Sequence, residues 1–247
     1  MRRAMPDRLR RIGAVVAIVA GLWAPGGAAA LDLPEVVRLD VTFAGLPVGV
    51  LHLAIRRTDG SYAATARLQP AGLGRLLPSA RFEATVQGRL RAGRPQPLRY
   101  VEDVHTGRRE SRTEIAWEGG VPRLLRLDPP RPPEPWHLDP AGQGGALDPM
   151  SAVLSVLADV PAERACALDL AVFDGRRRTQ IVLAPAPDGE PGCDGVFRRV
   201  AGYDPEDLAE RPEVPFRLIH GPGPGGTLRV IALEAAWELG TARLTRD

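Results

Sequence analysis

Three consecutive arginines, Arg176-Arg177-Arg178, follow the turn-type dipeptide Asp174-Gly175. A guanidinium is a planar fork of donors that suits a phosphate or a carboxylate, so anion contact is the first chemistry this chain offers. A two-residue turn at Asp174-Gly175 would set Phe173 opposite Arg176, Val172 opposite Arg177, Leu170 opposite Thr179 and Leu168 opposite Ile181. Leu168, Leu170, Val172, Ile181 and Leu183 then share one buried face. Asp169, Arg178 and Gln180 fall on the other, with Asp169 diagonal to Arg178. Arg177 lies beside Val172 on the apolar face, where it could meet a lipid phosphate or carboxylate at a cavity mouth. The same position suits an arginine that snorkels at the sheet's end or pairs with Glu or Asp. Tyr203 and Asp204 are a second candidate for ligand contact, and they equally suit the holding of a turn.

Other residue types offer less. The four histidines, His52, His105, His137 and His220, include no pair at metal-ligand spacing. No Gly-x-Ser-x-Gly elbow, phosphate-binding loop or dinucleotide fingerprint occurs. Gly72-Leu73-Gly74 suits a rim turn, and Trp136-His137 suits either a ligand contact or a pin for its loop. Glu102-Asp103 brings two carboxylates together, but adjacent strand residues point to opposite faces. No cofactor and no metal is expected, and the expectation is a protein without catalytic activity.

The two cysteines, Cys166 and Cys193, are 27 positions apart and lack Cys-x-x-Cys spacing. In an oxidising compartment they read as a disulfide, rather than a metal or redox pair, contributing roughly 3 to 4 kcal/mol for a loop of this length. The N-terminus points to such a compartment. Arg2, Arg3, Arg8, Arg10 and Arg11 precede an apolar run from Ile12 to Trp23, and Ala28-Ala29-Ala30 offers a small-x-small cleavage pattern. The run is shorter than the roughly 20 residues that span a bilayer. Residues 1–30 are therefore expected to be a cleaved signal peptide that delivers residues 31–247 to the periplasm, with no transmembrane span in the mature chain.

Formal charge is +2, and removal of residues 1–30 would leave 27 basic and 29 acidic residues. All 32 basic residues are arginine, a bias that accompanies abundant Ala, Gly and Pro. Arginine content is thus no argument for nucleic-acid binding.

Alternation and turn signals lay out the elements that must position these groups. Strands are expected at Val36 to Phe43, with Val37, Leu39, Val41 and Phe43 on one face, and at Val50 to Arg57 after a turn spanning Ala44 to Gly49. Asp59-Gly60 is a tight turn before Ser61 to Leu68, and Ala71 to Leu77 suits one helical turn. Further strands are expected at Phe82–Arg91, Leu98–His105, Glu110–Trp117 and Pro122–Leu127, linked by Ala92 to Pro95, Thr106-Gly107 and Gly119-Gly120. Links this short force antiparallel neighbours. A Pro/Gly-rich loop over about 128–147 is expected to run extended over the surface. Asp148 can cap a helix with Pro149 at its first position, and Met150, Val153, Leu154 and Leu157 form its apolar stripe until Pro161 stops it. After Cys193, strands are expected at Gly195–Tyr203 and Pro215–His220, with Gly221 to Gly226 a sharp turn before a closing strand or pair at Leu228–Leu244. The whole reads as a single mainly all-β domain of about twelve strands. It is a strongly curved antiparallel sheet or partly closed β-barrel with one short amphipathic helix at about 149–158.

Four segments together resemble the bacterial envelope family known as domain of unknown function 3108. They are Gly45-Leu46-Pro47-Val48-Gly49, Leu147-Asp148-Pro149-Met150-Ser151, Cys166 to Arg178, and Arg199 to Pro205 with Val200-Ala201-Gly202-Tyr203-Asp204 between. The resemblance implies an exported, non-enzymatic protein and brings no catalytic residues. The layout is similar, more distantly, to the periplasmic lipoprotein-carrier fold, in which an unclosed barrel holds acyl chains.

Two functions fit these observations. One is binding of a hydrophobic or lipid-like ligand in envelope maintenance, with Arg176, Arg177, Arg178 and Tyr203 as the candidate contacts. The other is a scaffold or assembly factor that offers a sheet edge or the Pro-rich loop to another envelope protein. A hydrolase has the least support. A monomer is expected, with no nucleic-acid partner.

Overall fold

The two-residue hairpin turn is the device this chain repeats. Ala44-Gly45, Ala92-Gly93 and Gly119-Gly120 all take positive φ at both positions, the backbone twist that joins two antiparallel strands without splaying them. The computed structural model describes residues 34–76, 81–105, 110–130, 132–187 and 192–247. The expected leader at 1–30 and the Thr106-Gly107 link lie outside them. Residues Asp32–Asp247 form one compact unit.

Seven strands come first: β1 (Glu35–Phe43), β2 (Leu46–Thr58), β3 (Ser61–Pro70), β4 (Arg81–Arg91), β5 (Arg94–His105), β6 (Glu110–Glu118) and β7 (Val121–Asp128). After a long link come helix α1 (Pro149–Val156), β8 (Asp169–Phe173), β9 (Arg178–Pro185), β10 (Gly192–Ala201), helix α2 (Pro205–Glu210), β11 (Glu213–Pro222), β12 (Leu228–Trp237) and β13 (Gly240–Arg246). The turns expected at 44–49 and 92–95 shrink to two residues each, because β2 and β5 begin at once. The register slips by one residue opposite Pro47 and opposite Pro97. Such bulges have already lost a ladder bond, which is where a sheet tolerates proline.

All thirteen strands join one antiparallel sheet in the order β7-β6-β5-β4-β3-β2-β1-β13-β12-β11-β10-β9-β8. Two meanders thus meet where β1 pairs with β13, and the sheet does not close. Its free edges, β7 and β8, are consecutive in sequence, so the link between them must cross the gap. Gly145 N–H donates to the Gly120 carbonyl at 2.9 Å, and Trp117 Nε1–H to the Ala146 carbonyl at 3.0 Å. Leu147 then pairs with β8, donating to the Ala171 carbonyl and accepting from Phe173 N–H. The link was expected to stay on the surface. It does so over 132–135, but Gln143, Ala146 and Leu147 are buried, because these backbone groups find their partners inside.

One face of β1–β6 forms a continuous core with α1. Val37, Leu53, Ile55, Val86, Ile115 and Trp117 are buried there, together with Met150 and Leu154 of the helix. As expected, Val37 and Leu39 are buried, while Val41 and Phe43 are half-buried. The helix is shorter than expected and ends before Pro161. Val160 exchanges backbone hydrogen bonds with Leu228 (3.0 and 2.8 Å), and Arg229 holds Asp159 bidentately at 2.8 and 2.6 Å. These bonds draw the chain out of the helix first. Helix α2 was not foreseen, although Asp204 caps it and Pro205 opens it, the same signal that marks α1. Its six residues, Pro205 to Glu210, carry only Leu208 and Ala209 as apolar side chains beyond the proline, too few to show an apolar period.

The β8–β9 hairpin corrects the expected register. Phe173 faces Arg178 and Leu170 faces Ile181, so the turn holds four residues. Asp174 Oδ1 accepts from the N–H groups of Arg176 (3.0 Å) and Arg177 (2.8 Å), and this side-chain turn replaces the two-residue one. A shift of two residues leaves the apolar face intact. It moves Arg177 into the turn and puts Thr179 opposite Val172. Asp169 meets Gln180 at 2.8 Å instead of Arg178. Gly175, at φ +104, is buried, and a Cβ there would stand 3.1 Å from Leu124 and 3.3 Å from Thr113. The turn therefore packs on β6 and β7, and side chains bridge the gap that backbone pairing leaves.

Candidate functional site

The second half of the sheet encloses space. Ile181 on β9 pairs with Phe197 on β10, Phe197 pairs with Val214 on β11, and Leu218, Leu233 and Leu244 stand opposite one another on β11, β12 and β13. Cross-strand partners share a face, so Phe197, Val214, Leu233 and Leu244 all turn toward α1. They do not fill the interior. A cavity of ≈ 270 Å³ remains between them and the helix, and every residue that lines it is apolar. The expected helical stripe divides in two. Met150 and Leu154 enter the first core, whereas Val153, Val156 and Leu157 face the cavity. Val153 is 37% exposed, although its neighbours Ala152 and Leu154 are buried.

The start of α1 is fixed by a buried polar chain. Asp148 is fully buried, and its Oδ1 accepts from Ser151 N–H at 2.8 Å. Ser151 Oγ donates to Asp148 Oδ2 and lies 2.6 Å from the Tyr62 hydroxyl. Burial pushes the Asp148 carboxyl up to about 6, against the hydrogen bonds from Ser151. Burial likewise raises Tyr62, and Tyr100, which donates to Glu102 at 2.7 Å. Asp148 and Ser151 are sealed from solvent and are not among the residues that line the apolar cavity, so this chain anchors the helix.

A cationic rim adjoins the cavity. On the strands that carry Ile181 and Phe197, the preceding inward pair is Thr179 and Arg199. Arg199 Cζ lies 5.2 Å from the Tyr203 ring centroid, and Arg177 Cζ lies 5.1 Å from it, within reach of the ring's negative face. Gly202 permits this convergence. Its φ is +86, and a Cβ there would come within 2.4 Å of the Arg176 carbonyl. Burial, then the charge of Asp174, pushes the Tyr203 phenol up to about 12 against the pull of Arg177 and Arg199. His137 Nδ1 accepts from Glu134 N–H at 3.1 Å, and burial followed by the charge of Arg176 lowers its pKa.

Of the residues singled out by sequence, Arg177 and Tyr203 come together. Arg178 turns away to Gln143 Oε1 at 3.2 Å, and the Arg176 carbonyl anchors the long link through Leu138 N–H at 3.0 Å. Arg199 is the member that sequence reasoning missed. Its signal was its place on β10 two residues beyond Phe197, readable only once the strand's inward face is known. Cys166 and Cys193 form a disulfide, and Cys193 lies in the second core with Leu183, Leu218 and Val230. In the middle of the sheet, on β13, the Arg246 side chain is 8% exposed and pairs with Glu35 at 3.1 Å. Its Nη1 is packed out of reach without a partner, so it is a structural cation. Among the described residues no group of three or more His, Cys, Asp or Glu side chains could hold a metal, and no helix is long and apolar enough to cross a membrane.

Comparison with known proteins adds one structural similarity and a family. The chain is similar to a beta-barrel-like protein of domain of unknown function DUF1849 from Brucella abortus. That crystal structure matches with a TM-score of 0.48 at 15% identity, over 87% of this chain and 96% of that one. No curated protein matches. A family profile matches residues 38–186, from β1 through β9. Three of the four segments that carried the resemblance fall inside it, and Arg199 to Pro205 lies beyond. By that match the chain belongs to the family described as Protein of unknown function (DUF3108).

Proposed function

We propose that this protein is a periplasmic, non-enzymatic binding protein for a hydrophobic, acyl-chain-like ligand of the cell envelope. The observation that carries this reading is the cavity of ≈ 270 Å³ with a wholly apolar lining. Its size approaches the range of about 300 to 1,000 Å³ typical of small-molecule sites. Apolar surface left uncovered inside a fold costs free energy that a bound chain returns. The basic and apolar leader sequence and the disulfide support export. The inaccessibility of the Asp148–Ser151 pair supports a role without catalysis.

The test is to purify the mature protein from periplasm, weigh it by native mass spectrometry, and extract it with organic solvent. A co-purifying lipid of defined mass is the expected result. A ligand-free mass, together with no uptake of the neutral apolar dye N-phenyl-1-naphthylamine, would overturn the reading. The exposed stretch 132–135 supports a second reading, a docking arm for another envelope protein. Deleting only those residues, which spares the buried Gln143 to Leu147, would then abolish partner crosslinking in cells and leave ligand content unchanged.

A further inference from the structure

Resting on the reading of a hydrophobic ligand, we infer that the ligand is an anionic amphiphile, its chain in the apolar cavity and its carboxylate or phosphate head at Arg177, Arg199 and Tyr203. Three observations converge. The first is position: Thr179 and Arg199 are one inward step, about 7 Å along the strands, from the cavity-lining pair Ile181 and Phe197. A chain that fills the cavity therefore leaves its head within reach of the rim.

The second is unbalanced charge. Both guanidinium groups lie about one ring radius and a van der Waals contact from the same centroid, at 5.1 and 5.2 Å. Among the described residues neither is paired with a carboxylate. Arg199 Nη1 donates to a backbone carbonyl, that of Asp207, at 2.8 Å. The carboxylate of Asp174 serves the turn backbone through Oδ1. A carboxylate or phosphate beside these guanidiniums balances their charge and accepts their unused hydrogen bonds.

The third is preorganisation. Arg177 Nε is buried without a partner, so the Tyr203 ring and the turn hold the stem while the Nη groups remain for a ligand. The pKa of His137 is lowered first by burial and then by the charges of Arg176 and Arg177, against those of Glu134 and Asp174.

Displacement of N-phenyl-1-naphthylamine by ligands of one chain length tests this. Dodecanoate and dodecyl phosphate are compared with uncharged dodecanol, and inorganic phosphate is run alone. Wild type is expected to bind both anionic amphiphiles at least tenfold more tightly than dodecanol. The stronger of the two identifies the head, and inorganic phosphate should not compete. In the Arg177→Gln/Arg199→Gln variant the advantage should vanish while dodecanol binding stays the same, and Arg177→Lys/Arg199→Lys should restore part of it. Equal binding of anions and alcohol to wild type would overturn the assignment of the head and leave the cavity reading standing. No displacement by any of them would overturn both. Competition by inorganic phosphate alone would overturn the amphiphile in favour of a free anion.

Discussion

The Tyr62 hydroxyl on β3 lies 2.6 Å from Ser151 Oγ on α1, 89 residues away in sequence. Through Ser151 it reaches the buried carboxylate of Asp148. One hydrogen-bonded chain thus holds the start of the helix against the sheet, and it contains a titratable group.

That group makes stability depend on pH. Folding raises the Asp148 pKa from 3.8 to about 6, so the folded state holds the proton more tightly. The cost of ionising it is absent below about pH 4, grows as pH rises toward 6, and is complete above that, about 3 kcal/mol at most. Asp148→Asn keeps a capping oxygen and removes the titration. Wild-type melting temperature should therefore fall relative to Asp148→Asn between pH 4 and 6.5. Parallel profiles in calorimetry would show that Asp148 carries no such load.

The disulfide closes a segment of 27 residues. Cys166→Ala, at the half-buried end, should lower stability by about 3 kcal/mol in urea unfolding. Reduction of the wild type should bring its midpoint to that of the variant. An unchanged midpoint in both would mean that the cross-link does not restrain the unfolded chain.

Two glycines with positive φ separate backbone strain from packing. Gly60, at φ +76, has open space where a Cβ would go, whereas Gly175 has Leu124 and Thr113 within 3.3 Å. Gly60→Ala should cost about 1 kcal/mol from strain alone. Gly175→Ala should cost about 1 to 3 kcal/mol more, as overpacking pushes the turn off β6 and β7. Equal costs would show that the turn does not brace the gap between the sheet edges.

Val153→Phe places a larger apolar group into the cavity from α1. The added surface is buried in space that already exists, so melting temperature should hold or rise. Dye binding should fall at least tenfold. A loss of stability with dye uptake intact would mean that the ring is excluded from the cavity and that the dye sits elsewhere.

Short-range signals carried much of this architecture. Gly45, Gly60, Gly93 and Gly120 mark hairpins because positive φ is a property of one or two residues. Alternation in β1 gave the inward face, and Asp148-Pro149 gave the helix start, because a cap and its first turn involve only neighbours. The pairing of Cys166 with Cys193 was legible because no other cysteine competes. The same locality explains the misses. The β8–β9 register depended on whether Asp174 would bond the backbone of Arg176 and Arg177. Pro47 and Pro97 argued against strands until bulges removed the ladder bonds they lack.

Tertiary structure alone decided the rest. The pairing of β1 with β13 joins residues some two hundred positions apart, as Leu39 facing Arg246 shows, and no local preference encodes it. The cavity is the volume left by side chains from α1 and seven strands, so it belongs to no segment. Arg177 and Arg199 meet at Tyr203 because Gly202 lets the end of β10 touch the neighbouring turn. The sequence by itself determined a curved antiparallel sheet and helix α1, which arise from the energetics of near neighbours, and the disulfide, for which two cysteines allow one pairing. The binding space and its charged rim arise only when distant strands pack, where the balance is struck between whole faces.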